Sequence, residues 1–131
     1  MGPRLLFVSE TATLAHFGRP QVLAGMLNPL EYEIHFACER GYHRLIETRD
    51  WHLHAVTSID PKEFLSRMAA GRPLFDFETL HNQVEEDLRL IERVQPDVII
   101  GDLRHSLAVS ARVARVPYMN ISNAYWSPYA R

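Results

Sequence analysis

A histidine and an aspartate are the residues of this 131-residue chain best suited to acid–base chemistry. His16 follows the apolar stretch at residues 5–8, and Asp102 follows a second one at residues 97–101. A neutral imidazole, whose ordinary pKa is about 6.5, takes a proton from a hydroxyl group near neutral pH. A carboxylate bonded to the other ring nitrogen fixes the tautomer and stabilises the imidazolium. A solvated loop histidine and a helix-capping aspartate would give the same pattern, so both interpretations stay open.

The elements that position these two residues are predicted from the spacing of apolar residues. Runs of apolar residues indicate strands, and apolar residues three and four apart indicate helices. Strands alternating with helices predict right-handed crossovers and a parallel sheet. We expect a single α/β domain, a Rossmann-like parallel sheet in the order 3-2-1-4-5 with helices on both faces. The predicted strands cover residues 4–9, 32–38, 52–57, 97–101 and 118–121. The first predicted helix starts at Pro20, and four further helices cover 42–47, 61–70, 75–94 and 106–115.

Two helices carry clear apolar stripes. The first begins at Pro20, which suits a first helical position, and Val22, Leu23 and Met26 share one of its faces. In the long helix the apolar residues step by three and four, which predicts that they face the sheet. The acidic group Glu85-Glu86-Asp87 is then expected on the solvated face. The stripe of the long helix consists of Phe77, Leu80, Val84, Leu88 and Ile91.

The predicted topology explains why His16 and Asp102 should meet. In an open parallel sheet, the working crevice lies beyond the carboxyl ends of the strands, where the strand order reverses. The first strand is expected beside the strand at 97–101, so the residues that leave both strands share one crevice. The N-terminus of the helix after His16 would favour the neutral imidazole. His105 is expected to line only the rim.

Composition excludes several classes of protein. The formal charge of −2 gives no electrostatic case for nucleic acid or an anionic membrane as a partner. The single cysteine, Cys38, excludes an internal disulfide and is expected as a buried strand residue, which makes the cytoplasm the expected location. No apolar run approaches the ~18 residues of a membrane span. The first residues do not read as a signal peptide.

Other site types fit the sequence poorly. The loop after the first strand contains only Gly18, so neither a dinucleotide fingerprint nor a phosphate loop is present. His52 and His54 share one strand face, a spacing that can seat a metal. No carboxylate or cysteine cluster in the sequence supports such a site, and no metal is expected. A phosphorelay receiver needs a late lysine, and Lys62 is the only lysine.

Three stretches resemble the N-terminal domain of the GT-B glycosyltransferases, the nucleotide-sugar-dependent family that includes macrolide and flavonoid glycosyltransferases. The first runs from His16 to Pro20, where a histidine precedes a proline by a few residues. The second is Gln-Pro-Asp-Val-Ile-Ile-Gly-Asp at 95–102, and the third combines 108–114 with Val-Pro-Tyr at 116–118 and Ile-Ser-Asn at 121–123. The similarity covers nearly the whole chain, although Ala15 stands where relatives often carry glycine.

The resemblance implies specific roles. His16 would be the general base of an inverting sugar transfer, and Asp102 would orient it, without metal or cofactor. The co-substrate would be a nucleoside-diphosphate sugar, bound mainly by a C-terminal domain outside residues 1–131, so that this chain alone is inactive. The small-molecule acceptor would contact residues at the strand ends and in the variable middle, namely Phe17, Phe75, Phe77, Ser122, Asn123 and Tyr125.

Two functional hypotheses remain from the sequence. The chain is either the acceptor-binding half of a glycosyltransferase or a non-catalytic binding subunit that docks to a separate donor-binding chain. In both cases the aromatic residues Tyr125, Trp126 and Tyr129 are expected to pack against a second domain, a partner chain or another copy of this chain.

Overall fold

The computed structural model describes residues 2–124 and 128–129. Within these residues, five strands are joined by segments that contain four α-helices in all, as the sequence predicts. A short 3-10 helix, Arg40–Leu45, lies where the second helix was expected. In chain order the elements are β1 (Arg4–Ser9), α1 (Leu14–Gly25), β2 (Glu33–Cys38), β3 (His52–Ala55), α2 (Pro61–Ala69), α3 (Phe77–Val94), β4 (Val98–Asp102), α4 (Leu107–Ala114) and β5 (Tyr118–Ile121).

All five strands form one parallel sheet in the order β3-β2-β1-β4-β5, which confirms the predicted order. The central strand β1 pairs with β2 on one side and with β4 on the other. The register of the second pair sets Ser9 opposite Asp102. The chain reverses direction across the sheet between β1 and β4, so the crevice predicted there exists.

Both faces of the sheet are covered, which explains the runs of consecutive aliphatic residues in the strands. On one face, α3 and α4 pack through Leu90, Ile91 and Leu107 against β1 and β4. On the other face, Phe17 and Ala24 of α1 pack against aromatic residues of β1 and β2. Cys38 is buried in this second layer, and burial raises the pKa of its thiol to about 12. A third apolar cluster lies at the carboxyl edge and contains Ala12, Ile59, Phe64, Phe75 and Leu103.

Helix α1 corrects the prediction in two ways. It begins at Leu14, so His16 lies in its first turn and Pro20 in its interior. A proline inside a helix removes one backbone hydrogen bond, so Pro20 was predicted to start the helix and not to lie within it. The expected apolar face is also wrong, because Val22, Leu23 and Met26 are exposed and the buried residues of α1 are Phe17, Pro20 and Ala24.

Helix α3 is turned relative to its apolar stripe. It begins at Phe77, two residues later than predicted, because the carboxylate of Asp76 accepts a hydrogen bond from the Thr79 amide and caps the first turn. Gln83 and Asp87 are buried, whereas Phe77 is exposed. The prediction that all three acidic residues at 85–87 are solvated is therefore wrong for Asp87. Asp87 binds the guanidinium of Arg104, and Gln83 donates to the buried carboxylate of Glu10.

Within residues 2–124 and 128–129, no helix is long and apolar enough to cross a lipid bilayer.

Candidate functional site at the carboxyl ends of β1 and β4

The predicted pair of residues meets at the crevice. Asp102 is the last residue of β4, and the backbone amide of Glu10 donates to its carbonyl oxygen, which holds the ends of β1 and β4 together. The loop after β1 is only four residues long, so the first turn of α1 lies directly above the end of β4. This brings Nδ1 of His16 to 2.9 Å from Oδ1 of Asp102.

The environment of the pair suits an oriented imidazole. The side chain of Asp102 is 1% exposed and that of His16 is 13% exposed, so the carboxylate is enclosed and the ring reaches the surface. When Nδ1–H donates to the carboxylate, Nε2 is the unprotonated and basic ring nitrogen. His16 also lies in the first turn of α1.

Arg19 is a third member of the site, with no role predicted from the sequence. Its Nε donates to Oδ2 of Asp102 at 2.8 Å and its Nη2 to Oδ1 at 2.7 Å, a bidentate ion pair. Its Nη1 donates to Oδ1 of Asn123 at 2.8 Å. The alternative that Asp102 caps the next helix does not describe this structure, because both carboxylate oxygens are taken by Arg19 and His16.

A signal for Arg19 existed in the sequence. Residues 16 and 19 are three apart, a spacing that puts two side chains on the same face of a helix. The incorrect start of α1 at Pro20 placed both residues in a loop, where no common face exists. In a helix that begins at Leu14, residues 16 and 19 share one face, so Arg19 would have been predicted to lie near Asp102 together with His16.

The residue after Asp102 has an unusual backbone conformation. Leu103 has φ of 56°, in the left-handed region that a bulky residue rarely adopts. This turn lets Asp102 point to α1 while Arg104, two residues later, points to α3 on the opposite side of the sheet. Strained backbone of this kind is concentrated at functional sites, and here it separates two polar clusters.

The second cluster is built on Arg104, whose side chain is fully buried. The guanidinium binds the carboxylates of Glu10 at 3.4 Å, of Asp87 at 3.0 Å and of Glu86 at 2.8 Å. Ser106 and Ser110 donate to the second oxygen of Asp87. The cluster connects the loop after β1 to α3 and to the loop after β4. It therefore stabilises the two loops that border the crevice, on the side of the sheet opposite α1.

Buried carboxylates outnumber the buried cation in this cluster. Burial raises the pKa of both Glu10 and Asp87, and the charge of Arg104 opposes that effect for each. Asp87 accepts hydrogen bonds from two serines and from Arg104, and Glu10 accepts from the Ile59 amide at 2.8 Å, from Gln83 at 3.1 Å and from Arg104 at 3.4 Å. These hydrogen bonds and the charge of Arg104 partly offset the effect of burial on the pKa of both carboxyl groups.

The predicted acceptor residues of the helices do not form one surface. Phe17 is buried between α1 and the sheet, with its ring centroid 5.3 Å from that of Tyr42, so it lies in the core and its acceptor contact stays a prediction. Phe75 is 7% exposed and packs edge-on against His105, which does lie on the crevice side. Phe77 is 83% exposed on the first turn of α3.

Residues after β5 do reach the crevice. Ser122 and Asn123 line the same small cavity as His16 and Asp102, and His105 joins them there. The predicted contact at Tyr125 lies outside the described residues, as does Trp126. The cavity measures about 30 Å³, enough for one water molecule, so the described residues form only one wall of any acceptor site.

A larger polar cavity of about 530 Å³ lies between the loop after β3, α2 and α3. It is lined by Thr57, Asn82, Gln83 and Arg67 among others, and none of its lining residues belongs to the His16–Asp102 pair. Oε1 of Gln83 is buried there without a hydrogen-bond partner among the described residues.

The histidines of β3 have neighbours on β2 that the sequence does not predict. The parallel register sets His35 opposite His52, and Glu33 lies on the same face, so three ligand atoms fall within 4.8 Å of one another. A carboxylate thus does accompany these histidines. It already accepts hydrogen bonds from Arg4 at 2.9 Å and from His35 at 2.8 Å. The side chains form a hydrogen-bonded group at the edge of the sheet, and burial lowers the pKa of the adjacent His54 to about 4.

Known proteins were compared with this chain in sequence and in fold. No protein-family model matches the chain. A rhamnosyltransferase of PGL/p-HBAD biosynthesis from Mycobacterium bovis (strain BCG / Pasteur 1173P2) is 47% identical over 128 residues, which is 98% of this chain and 28% of the relative. An inactive PGL/p-HBAD biosynthesis glycosyltransferase from the same strain is 44% identical over 98% of this chain and 35% of its own length. The chain therefore spans about a third of the length of these relatives.

Solved structures show the same fold. The spinosyn forosaminyltransferase SpnP superposes with a TM-score of 0.64 at 19% identity, covering 92% of this chain and 31% of its own. The spinosyn rhamnosyltransferase SpnG gives a TM-score of 0.61 at 20% identity and covers 97% of this chain and 37% of its own. In sequence and in fold, the chain is similar to the N-terminal domain of a GT-B glycosyltransferase, as its sequence predicts.

Proposed function

We propose that residues 1–131 form the acceptor-binding domain of a glycosyltransferase that moves a sugar from a nucleoside-diphosphate donor to a hydroxyl group of a small molecule. The observation that carries the proposal is the 2.9 Å contact between Nδ1 of His16 and Oδ1 of Asp102 at the crevice of the sheet. Relatives named as glycosyltransferases, at 44–47% identity, support the same class of reaction.

The proposed step needs one base and no covalent intermediate. Nε2 of His16 takes the proton from the acceptor hydroxyl as its oxygen attacks the anomeric carbon of the sugar. The bond between that carbon and the diphosphate oxygen breaks, and the nucleoside diphosphate leaves with the electron pair. A single displacement inverts the anomeric configuration. Asp102 stabilises the imidazolium until it gives up its proton to water.

The donor is proposed to bind elsewhere in the complete protein. The loop after β1 carries no glycine cluster, and its residues 10–12 are buried, so it offers no cradle for a diphosphate. A C-terminal domain or a partner chain would supply that site, and no metal or cofactor is proposed. Tyr129, which the sequence predicts to pack against a second domain or partner, is 92% exposed.

A second candidate function follows from one relative. The 44% identical protein named as inactive shows that a closely similar sequence can occur in a protein without activity. The alternative is a non-catalytic binding subunit of a split glycosyltransferase.

The test uses the complete protein that contains this chain, incubated with nucleoside-diphosphate sugars and a panel of small hydroxylated acceptors. We expect acceptor-dependent release of the nucleoside diphosphate and a product with inverted anomeric configuration by NMR. Release only after addition of a separate donor-binding chain supports the split alternative. Retained configuration, or no transfer under either condition, contradicts the proposal. Micromolar binding of a nucleotide sugar to residues 1–131 alone, by calorimetry, contradicts the assignment of the donor site to another domain.

A further inference from the structure

The guanidinium of Arg19 joins three separate elements at the candidate site. It extends from α1 to the carboxylate at the end of β4 and to Asn123 in the segment after β5. Its side chain is one-third exposed, whereas the Asp102 side chain that it binds is 1% exposed. Arg19 therefore contacts the proposed base, its carboxylate partner and a residue on the acceptor side.

The charge of Arg19 makes the buried carboxylate tolerable. An anion that loses its water needs a partner charge and hydrogen bonds to both oxygens. His16 supplies one hydrogen bond and, when neutral, no charge. Arg19 supplies the permanent positive charge and two donors, one to each oxygen. The planar fork also fixes the plane of the carboxylate, which a single ammonium group does not do.

The position of Oδ1 decides which ring nitrogen of His16 is basic. Nδ1 has two neighbours, Oδ1 of Asp102 at 2.9 Å and Nη2 of Arg19 at 3.2 Å. The carboxylate only accepts, so its contact requires a proton on Nδ1 and leaves Nε2 free to act as the base. The guanidinium only donates, so a bond from Nη2 to Nδ1 would put the proton on Nε2 and remove the base.

The distances favour the productive arrangement. Nη2 already donates to Oδ1 at 2.7 Å, and this bond holds Oδ1 at the ring while using a hydrogen of Nη2. The bond from Nδ1–H to the carboxylate is shorter than the Nη2 contact and has an anionic acceptor, which strengthens it.

We propose that Arg19 is a positioning residue that clamps the Asp102 carboxylate and thereby holds His16 in the tautomer whose Nε2 is basic. The inference rests on the proposed function for its consequence in turnover. Its structural part, the tautomer of His16, is independent of any activity and is measured separately.

The first measurement uses residues 1–131 with ¹⁵N-labelled histidine. Long-range ¹H–¹⁵N correlation spectra distinguish Nδ1–H from Nε2–H, and the His16 signals are those missing in His16→Ala. We expect Nδ1–H in the wild-type chain. In Arg19→Gln and Arg19→Lys the fork is lost, and we expect the Nε2–H tautomer to become the majority form. Arg112→Gln, on the exposed side of α4, is the matched control and leaves the spectrum of His16 unchanged.

The second measurement uses the complete protein. We expect Arg19→Lys and Arg19→Gln to lower kcat by roughly 10- to 100-fold, by analogy with the loss of a hydrogen-bond partner that orients a metal-bound imidazole. The KM for the acceptor should change much less, because binding and orientation of the base are separate. Failure of Arg19→Lys to restore kcat shows that the fork, and not the charge alone, is needed.

Several outcomes would overturn the proposal. These are Nε2–H in the wild-type chain, an unchanged tautomer in folded Arg19→Gln, full kcat in both variants, or loss of the fold in both variants by circular dichroism, which would make Arg19 a residue of the fold. A tautomer change in Arg19→Gln together with full activity of His16→Ala gives a different result. It refutes His16 as the base, and hence the proposed function, while leaving the clamp in place.

Discussion

The hydroxyl group of Ser9, at the end of β1, donates a hydrogen bond to the backbone carbonyl oxygen of His16 in α1. In an uninterrupted helix, that oxygen accepts from the amide four residues later. The residue four positions after His16 is Pro20, which has no N–H. Ser9 therefore replaces the hydrogen bond that the proline removes, and it fixes the first turn of α1, with the imidazole of His16, to the strand beside Asp102.

This relationship predicts a rescue. Ser9→Ala leaves a carbonyl oxygen without its donor in a buried environment and should lower the free energy of unfolding by about 1–3 kcal/mol. Pro20→Ala supplies the missing amide. In the double variant the loss from Ser9→Ala should be clearly smaller, which urea titrations of all four chains measure as a coupling energy. Strictly additive losses would show that the two residues do not share this carbonyl.

The His16–Asp102 pair predicts two losses of activity of different size. His16→Ala in the complete protein should lower turnover by roughly 10²–10⁴-fold, the usual range for a positioned base. Asp102→Asn keeps the shape but disturbs the tautomer and should cost less. His81→Ala, an exposed histidine on α3, is the control and should be fully active. Wild-type turnover of His16→Ala across a pH series would return His16 to an ordinary surface role.

His16→Ala and Asp102→Asn should also differ in their free energy of unfolding. Asp102 is enclosed and carries the ion pair with Arg19. Asp102→Asn should therefore lower the free energy of unfolding by about 1–2 kcal/mol, a modest loss because Arg19 is partly solvated. His16→Ala should change it much less. Thermal and urea unfolding of residues 1–131 measure both values.

Phe75 and Phe77 form a matched pair, because they are two residues apart and differ in burial. Phe75→Ala empties a buried position and should cost about 3–5 kcal/mol in stability. Phe77→Ala removes an exposed ring and should cost less than about 0.5 kcal/mol. If Phe77 contacts the acceptor, its substitution should change the acceptor preference of the complete protein without changing stability. An unchanged preference would leave it as an exposed ring of α3.

The carboxyl of Glu10 predicts a dependence of stability on pH. Burial raises its pKa above the ordinary value of 4.5, so the folded chain binds the proton more tightly than the unfolded chain does. The stabilising contribution is full below pH 4.5 and is lost as the pH rises through the raised pKa. Glu10→Gln should therefore gain stability relative to the wild type as the pH increases from 4.5 to neutrality.

The comparison for Glu10 must isolate its own titration, because Asp76 titrates in the opposite sense. Hydrogen bonds from Thr79 lower the pKa of Asp76 to about 2, so its contribution is lost only in strong acid. Glu85→Gln, an exposed carboxyl on α3, is the control and should follow the wild type across the range. A constant difference between Glu10→Gln and the wild type at every pH would show that Glu10 titrates normally.

Strand order and the meeting of His16 with Asp102 could be predicted because both follow from patterns along the chain. Consecutive aliphatic residues mark buried parallel strands, and the topology of such sheets brings specified strand ends together. The boundaries of α1 could not be read in the same way. Pro20 satisfies the rule for a helix start, and only the tertiary hydrogen bond from Ser9 explains why it is tolerated inside the helix.

The role of Asp87 was hidden for a similar reason. An acidic residue in a run of three is normally solvated, and its burial depends on Arg104, which lies 17 residues later in the sequence. The left-handed turn that directs Arg104 toward α3 occurs at Leu103, and not at a glycine or asparagine from which such a turn is normally predicted. Local patterns therefore predict the framework of this fold, whereas the charged clusters depend on pairs that only the folded backbone brings together.

The clamp made by Arg19 also has a consequence for how the chain folds. Its partner in β4 is 83 residues away and its partner after β5 is 104 residues away. Contacts of such long sequence separation require closure of large loops, so they form slowly compared with helices and local turns. The base, its carboxylate and their clamp consequently cannot exist in any early local unit of the chain. They appear only when β1 and β4 pair, so the ring-nitrogen tautomer of His16 reports that this pairing of distant strands has formed.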